Sequence, residues 1–154
     1  MTHNRRHQRR FAFQVIYSFG FDRDVSKDTL IRSFDNFWAE EEFDMERQDS
    51  YAWTLVEGVF DNYDRIDEII TQHSQHWKLN RIAKVELTIL RLSLFEMLFC
   101  PDIPLKVAMN EAIELAKNFG DENSKTFVNG VLDAAAKGAE RDERKKIQSA
   151  NTES

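Results

Sequence analysis

Glycine and proline are scarce, with five and two in a chain of 154 residues. Sandwiches and barrels place such residues at their many turns, so both architectures are excluded, as is the glycine-rich loop that cradles a nucleotide phosphate. Cysteine occurs once, as Cys100, which rules out an internal disulfide. No long uncharged run appears, so neither a signal peptide nor a membrane span is expected, and the expected location is the cytoplasm. Acid is missing from one place in particular. The first 21 residues hold Arg5, Arg6, Arg9 and Arg10, with His3 and His7, and no carboxylate precedes Asp22. The whole chain carries −6, so once those four positive charges are set aside, the remainder carries −10. A confined positive patch on an acidic body is the charge pattern of a protein that docks an anionic polymer at one place.

What is present favours helices. Apolar residues make up 42% of the chain, enough for one compact unit that needs no metal or disulfide staple. Spacings of three and four predict a first helix from about Arg5 to Phe19, with Phe11, Ala12, Val15, Ile16 and Phe19 as its apolar stripe. The arginines fall on the adjacent arc, together with Phe13 and Tyr17. Gly20 ends this helix and Ser26 caps the next, whose core face is Leu30, Phe34, Phe37 and Trp38. A third helix is expected from about Met45, with Ala52, Leu55, Val56, Val59, Phe60 and Tyr63 in its stripe. That pattern continues into Ile66, Ile69 and Ile70, and a break near Asp61 to Asp64 is left open. From Ile82 to Phe99 apolar residues surround the axis, marking the most buried helix. Pro104 starts another at its first helical position, closed by Gly120. The last runs from about Glu122 to Lys137, burying Phe127, Val128, Val131, Leu132 and Ala135, with Gly130 admitting a neighbouring backbone. Residues 139–154 read as a charged, disordered tail.

Positive charge at a helix N-terminus opposes the macrodipole, so four arginines and no acid there point to an anionic partner. Phosphate neutralisation by arginine, with Tyr17 or Phe13 stacking on an unpaired base, is the combination that single-stranded RNA requires. Other constellations yield bland readings. His73 and His76 lie one helical turn apart but have no third ligand nearby, so no metal is expected. Glu111 and Glu114 are paired carboxylates, yet Lys117 offers Glu114 an ordinary surface ion pair. Cys100 has no histidine near it in sequence and reads as an apolar filler. Glu86, Arg91 and Glu96 on the most apolar helix must pair or reach a partner or solvent. No catalytic site and no cofactor are expected.

Several stretches carry a resemblance. Arg5-Arg6, Arg9, Ala12, Gln14 and Tyr17-Ser18 form one, and Arg81-Ile82, Val85-Glu86 and Ile89-Leu90-Arg91 another. They are followed by the run from Asp102 through Pro104 to Lys117, then Phe119-Gly120, Ser124, and Phe127 to Asp133. Over about residues 5 to 137 the chain resembles the NusB family of bacterial transcription antitermination factors. The resemblance implies an all-α fold of about seven helices in two perpendicularly packed bundles, about 5–62 and 63–138, forming an RNA-binding domain over residues 1–138. It implies binding of single-stranded boxA RNA in nascent ribosomal transcripts, jointly with the ribosomal protein NusE, within an RNA polymerase antitermination complex. Carried onto this chain, the RNA surface would comprise Arg5, Arg6, Arg9, Gln14 and Tyr17, to which the charge pattern adds Arg10. The start of the last helix, Asn123, Lys125 and Phe127, would lie beside it, and Glu86 and Arg91 would face the protein partner. Thr126 stands where the family pattern has a basic residue, with Lys125 one place earlier, and Asn123 stands where an acid is common. RNA methyltransferases also carry NusB-like domains, but they need a catalytic domain with a glycine-rich strand-to-helix turn, so no enzyme is expected. The alternatives are a protein adaptor or homodimer that uses the arginine face, and a stand-alone RNA-binding module.

Overall fold

The computed structural model describes residues 5–20, 22–74 and 78–138. Among them lie seven α-helices and no strand: α1 (Arg5–Ser18), α2 (Lys27–Ala39), α3 (Tyr51–Asp61), α4 (Tyr63–His73), α5 (Lys84–Phe99), α6 (Leu105–Phe119) and α7 (Glu122–Gly138). The backbone divides into two compact units between Tyr63 and Asp64. His76 and the tail after Gly138 fall outside the described residues.

In the first unit α1 packs on α3 and α2. Local signals fix the ends. Gly20 adopts φ 65°, the left-handed conformation that stops α1 without Cβ strain. The Ser26 hydroxyl accepts the Thr29 amide at 3.1 Å and starts α2. α3 begins at Tyr51 rather than near Met45, because Ser50 caps it by accepting the Trp53 amide at 3.0 Å. The next unsatisfied amide, that of Ala52, donates to Oε1 of buried Gln8 at 3.0 Å. One side chain of α1 thereby completes the first turn of α3. The core between these helices is aromatic. Phe11 meets Phe34 and Trp38 edge-on, each at 5.1 Å between centroids, and Phe43 stacks on Trp38 at 3.9 Å. Trp53, absent from the predicted stripe, packs edge-on against Phe34 at 5.2 Å. Its indole lies in the core because α3 is covered on two sides, which widens the buried arc beyond the stripe of spacing alone. Phe37 corrects the predicted α2 face: it is 44% exposed, at the rim of the packed face, where it lines an open groove with Phe11 and Val15. The open question of the helix break is answered at Asn62, whose φ −124°, ψ 24° separates α3 from α4.

In the second unit α5, α6 and α7 pack on one another. Every residue of α5 from Leu87 to Leu98 is buried, as expected for a helix apolar all round. Ala108, Ala112 and Ala116 on α6 and Ala135 on α7 keep the helix surfaces low where they meet. Pro104 stands one residue before the helix, as its N-cap. Two predicted glycine roles change places. A Cβ at Gly130 would meet nothing within 4 Å, so no backbone approaches there. At Gly120, by contrast, a Cβ would sit 2.6 Å from the Ser124 Cβ, so the tight passage from α6 to α7 requires glycine.

Candidate nucleic-acid interface

α1 does not present its arginines on one open face. At about 100° per residue, Arg6, Tyr17, Arg10 and Gln14 fall in order along one arc. Arg6, Arg10 and Gln14 are exposed and Tyr17 is partly so. Phe13 lies beneath Tyr17 in a stacked arrangement, 5.7 Å between centroids, but is itself only 2% exposed. Phe13 is therefore core, and of the two aromatics only Tyr17 offers a ring to a base. Arg5 and Arg9 point to the other side of the helix, toward Tyr51 at the start of α3. Their guanidinium carbons lie 4.4 and 5.5 Å from that ring's centre. Arg5 stays exposed whereas Arg9 is 4% exposed, so Arg9 offers no open face for a nucleotide.

The stripe has a defined edge. Beside Gln14 a groove of about 380 Å³ is lined by Phe11, Val15, Ser18, Phe37, Glu40 and Glu41. Its two carboxylates stand at the C-terminal, negative end of α2, where the helix dipole adds to their repulsion of phosphate. The positive end of α1, with no acid in its first turn, does the opposite.

The predicted residues of α7 occupy its first turns in the second unit. Asp121 caps the helix by accepting the Ser124 amide at 2.8 Å, and its own amide meets the Ser124 hydroxyl at 3.2 Å. The Ser124 amide, then its hydroxyl, hold the Asp121 carboxyl below its ordinary pKa. Asn123 is exposed and Phe127 half-buried rather than core, as α7 turns its Ser124, Val128 and Val131 side inward. Lys125 pairs with Glu122 at 3.5 Å, and the Thr126 hydroxyl donates to the Glu122 carbonyl at 3.2 Å.

Arg91 is corrected outright. It is 3% exposed and grips Asp67 of α4 with two parallel hydrogen bonds, Nε to Oδ1 at 2.9 Å and Nη2 to Oδ2 at 3.0 Å. A guanidinium so enclosed has no face for a protein partner. Glu86, in the first turn of α5, is only half-buried, whereas Glu96 is 1% exposed. Glu114 and Lys117 form the surface pair that their spacing implied, at 3.6 Å. Tyr51 is the residue that sequence reasoning missed, since nothing in a tyrosine after a capping serine announces two arginines 42 and 46 positions earlier. No group of three or more metal-ligating side chains occurs among the described residues.

Two small helical units, the first opening with a cationic and aromatic helix, define the class. The NusB family model matches residues 6–137, and the chain belongs to the NusB family. The transcription antitermination protein NusB of Desulfovibrio desulfuricans is 44% identical over 144 residues, covering 90% of this chain and 88% of that one. That of Myxococcus xanthus is 42% identical over 135 residues, covering 86% and 94%. Among solved structures, T. maritima NusB superposes with TM-score 0.78 at 36% identity, covering 89% and 93% of the two chains. A complex of antitermination factors NusB and NusE with double-stranded RNA gives TM-score 0.73 at 28% identity, covering 87% of this chain and 96% of that one.

Proposed function

We propose that this chain is a transcription antitermination factor of the cytoplasm that binds the boxA element of nascent ribosomal RNA together with the ribosomal protein NusE, within the antitermination complex that lets RNA polymerase read through terminators. Residues 1–138 form the RNA-binding domain. The observation that carries the reading is family membership over nearly the whole domain, joined to a solvent-facing stripe of Arg6, Arg10, Gln14 and Tyr17 on α1.

The chemistry is binding, not catalysis. Arg6 and Arg10 neutralise successive phosphates and release their condensed counterions, the Gln14 amide meets a base edge, and the outer face of Tyr17 stacks on a base. Arg5 extends the contact toward α3, while buried Arg9 holds the seam rather than the strand. At α7, neutral Asn123 repels phosphate less than an acid would, and Lys125 and Phe127 supply a cation and an apolar ring. Glu122 draws off part of the Lys125 charge, so this second contact is weaker than the α1 stripe. Glu86 is the remaining candidate for the protein partner.

Fluorescence anisotropy tests the reading. A boxA-like RNA should bind more tightly than a scrambled one, and more tightly again with NusE present. Replacing both Arg6 and Arg10 by alanine should reduce the slope of log affinity against log salt by about 2. Sedimentation should remain unchanged. Equal affinity for the scrambled strand would defeat the claim of specificity, and a dimer lost on the double replacement would favour self-association through the arginine face.

A further inference from the structure

We infer that Tyr51 is a positioning residue for RNA binding, its ring holding the Arg5 guanidinium in a fixed place beside the α1 stripe; the inference rests on the RNA-binding reading above. Arg5 is the first residue of α1, where a long side chain faces few neighbours and samples many rotamers. Its charge also stands at the positive end of the helix dipole, which favours an arginine that swings away. Against both tendencies the guanidinium carbon lies 4.4 Å from the Tyr51 ring centre while the residue remains exposed. The negative face of the ring attracts the cation without consuming its N–H donors, which an exposed arginine can then offer to a phosphate.

The platform is itself fixed. Tyr51 opens α3 between two capping contacts, Ser50 Oγ with the Trp53 amide and Gln8 Oε1 with the Ala52 amide, each 3.0 Å. Gln8 belongs to α1, so the ring is tied to the helix whose arginine it orders. Arg9, 5.5 Å from the same ring and buried, fills the inner side and leaves Arg5 the outer one. An arginine ordered before the strand arrives loses less rotamer freedom on binding. Tyr51 thus extends the phosphate path from Arg6 and Arg10 to the α1–α3 seam.

The test compares wild type, Tyr51→Phe, Tyr51→Leu, Arg5→Ala and the double variant Tyr51→Leu/Arg5→Ala in anisotropy titrations on boxA-like RNA over a salt series. The phenyl ring keeps the cation in place, so Tyr51→Phe should bind as wild type. Tyr51→Leu should bind about two- to fivefold more weakly, with a shallower salt slope. The double variant should match Arg5→Ala, because nothing remains for the ring to place. Wild-type affinity in Tyr51→Leu, a loss in Tyr51→Phe equal to that in Tyr51→Leu, or additive losses in the double variant would each overturn the inference. If Tyr51→Leu unfolds early, Tyr51→Met takes its place. An RNA-free readout separates the two levels: Arg5 side-chain protons should be shifted upfield by the ring in wild type and Tyr51→Phe, and not in Tyr51→Leu. Absence of that shift in wild type overturns the platform. Failure of wild type to prefer boxA-like over scrambled RNA while the shift persists defeats the RNA reading instead.

Discussion

The two units hold arginines in different ways. In the first, guanidinium groups rest on aromatic rings: Arg5 and Arg9 on Tyr51, Arg23 on Tyr63 at 5.5 Å, and Arg47 on Trp53 at 4.9 Å, the last also paired with Asp35 at 2.9 Å. In the second, Arg91 is clamped by the Asp67 carboxylate inside an aliphatic core. A ring attracts a cation without cancelling its charge, so an arginine stacked at the surface still attracts an anion. A buried carboxylate cancels the charge and occupies the donors. The sign of a residue in the sequence therefore says little about availability. What lies against it decides whether it serves a ligand or the fold.

The strongest way to break this contrast is Arg91→Ala. It leaves the Asp67 carboxylate buried without its cation, at an expected cost of about 3–5 kcal/mol in urea unfolding, with RNA affinity of the folded protein unchanged. The pair Arg91→Met/Asp67→Leu should recover most of that loss, and a failure to recover would mean that the ion pair does more than fill its site. Next in size, Gly120→Ala forces a Cβ into Ser124 and should cost about 1–3 kcal/mol by thermal melting. Its effect belongs to the second unit and should leave binding through α1 intact. Ser50→Ala removes the cap of α3 in the first unit and should cost about 1 kcal/mol. Because Tyr51 follows directly, this variant should also loosen Arg5 and weaken RNA binding, which a purely structural α3 would not do.

The smallest effect is one of pH. The folded Asp121 carboxyl titrates below its ordinary value because Ser124 donates to its charged form. Its contribution is therefore complete above the unfolded carboxylate value, about 4, and disappears as pH falls through the lower folded value. The gap in urea midpoint between wild type and Asp121→Ala should be widest near neutral pH and close in acid. A gap independent of pH would assign the cap to shape alone.

Much of the architecture is legible in the sequence. Ser26 and Gly20 bounded helices where local hydrogen bonding and a positive φ act within a few residues. The all-round apolar run announced α5. The errors share a physical origin in packing between distant elements. Phe37 and Phe13 both recur at helical spacing, yet one faces solvent and the other the core, because the arc that is covered depends on which helix lies alongside. Gly130 and Gly120 look alike as letters, and only the position of Ser124 makes one indispensable. Within the candidate site, Arg6, Arg10 and Tyr17 were readable as part of one arc of a helix, and Gln14 came only with the family resemblance. Arg9 was not readable as buried, nor Arg91 as locked, since their partners lie 42 and 24 residues away.

The sequence by itself determined that the chain is helical, where most helices start and stop, that its positive charge is confined to the amino end, and which family it belongs to. These properties arise from interactions among near neighbours or from composition, and so survive in the linear order of residues. Tertiary structure alone decided which arginines remain open to an anion, because desolvation and pairing are set by side chains that only folding brings together.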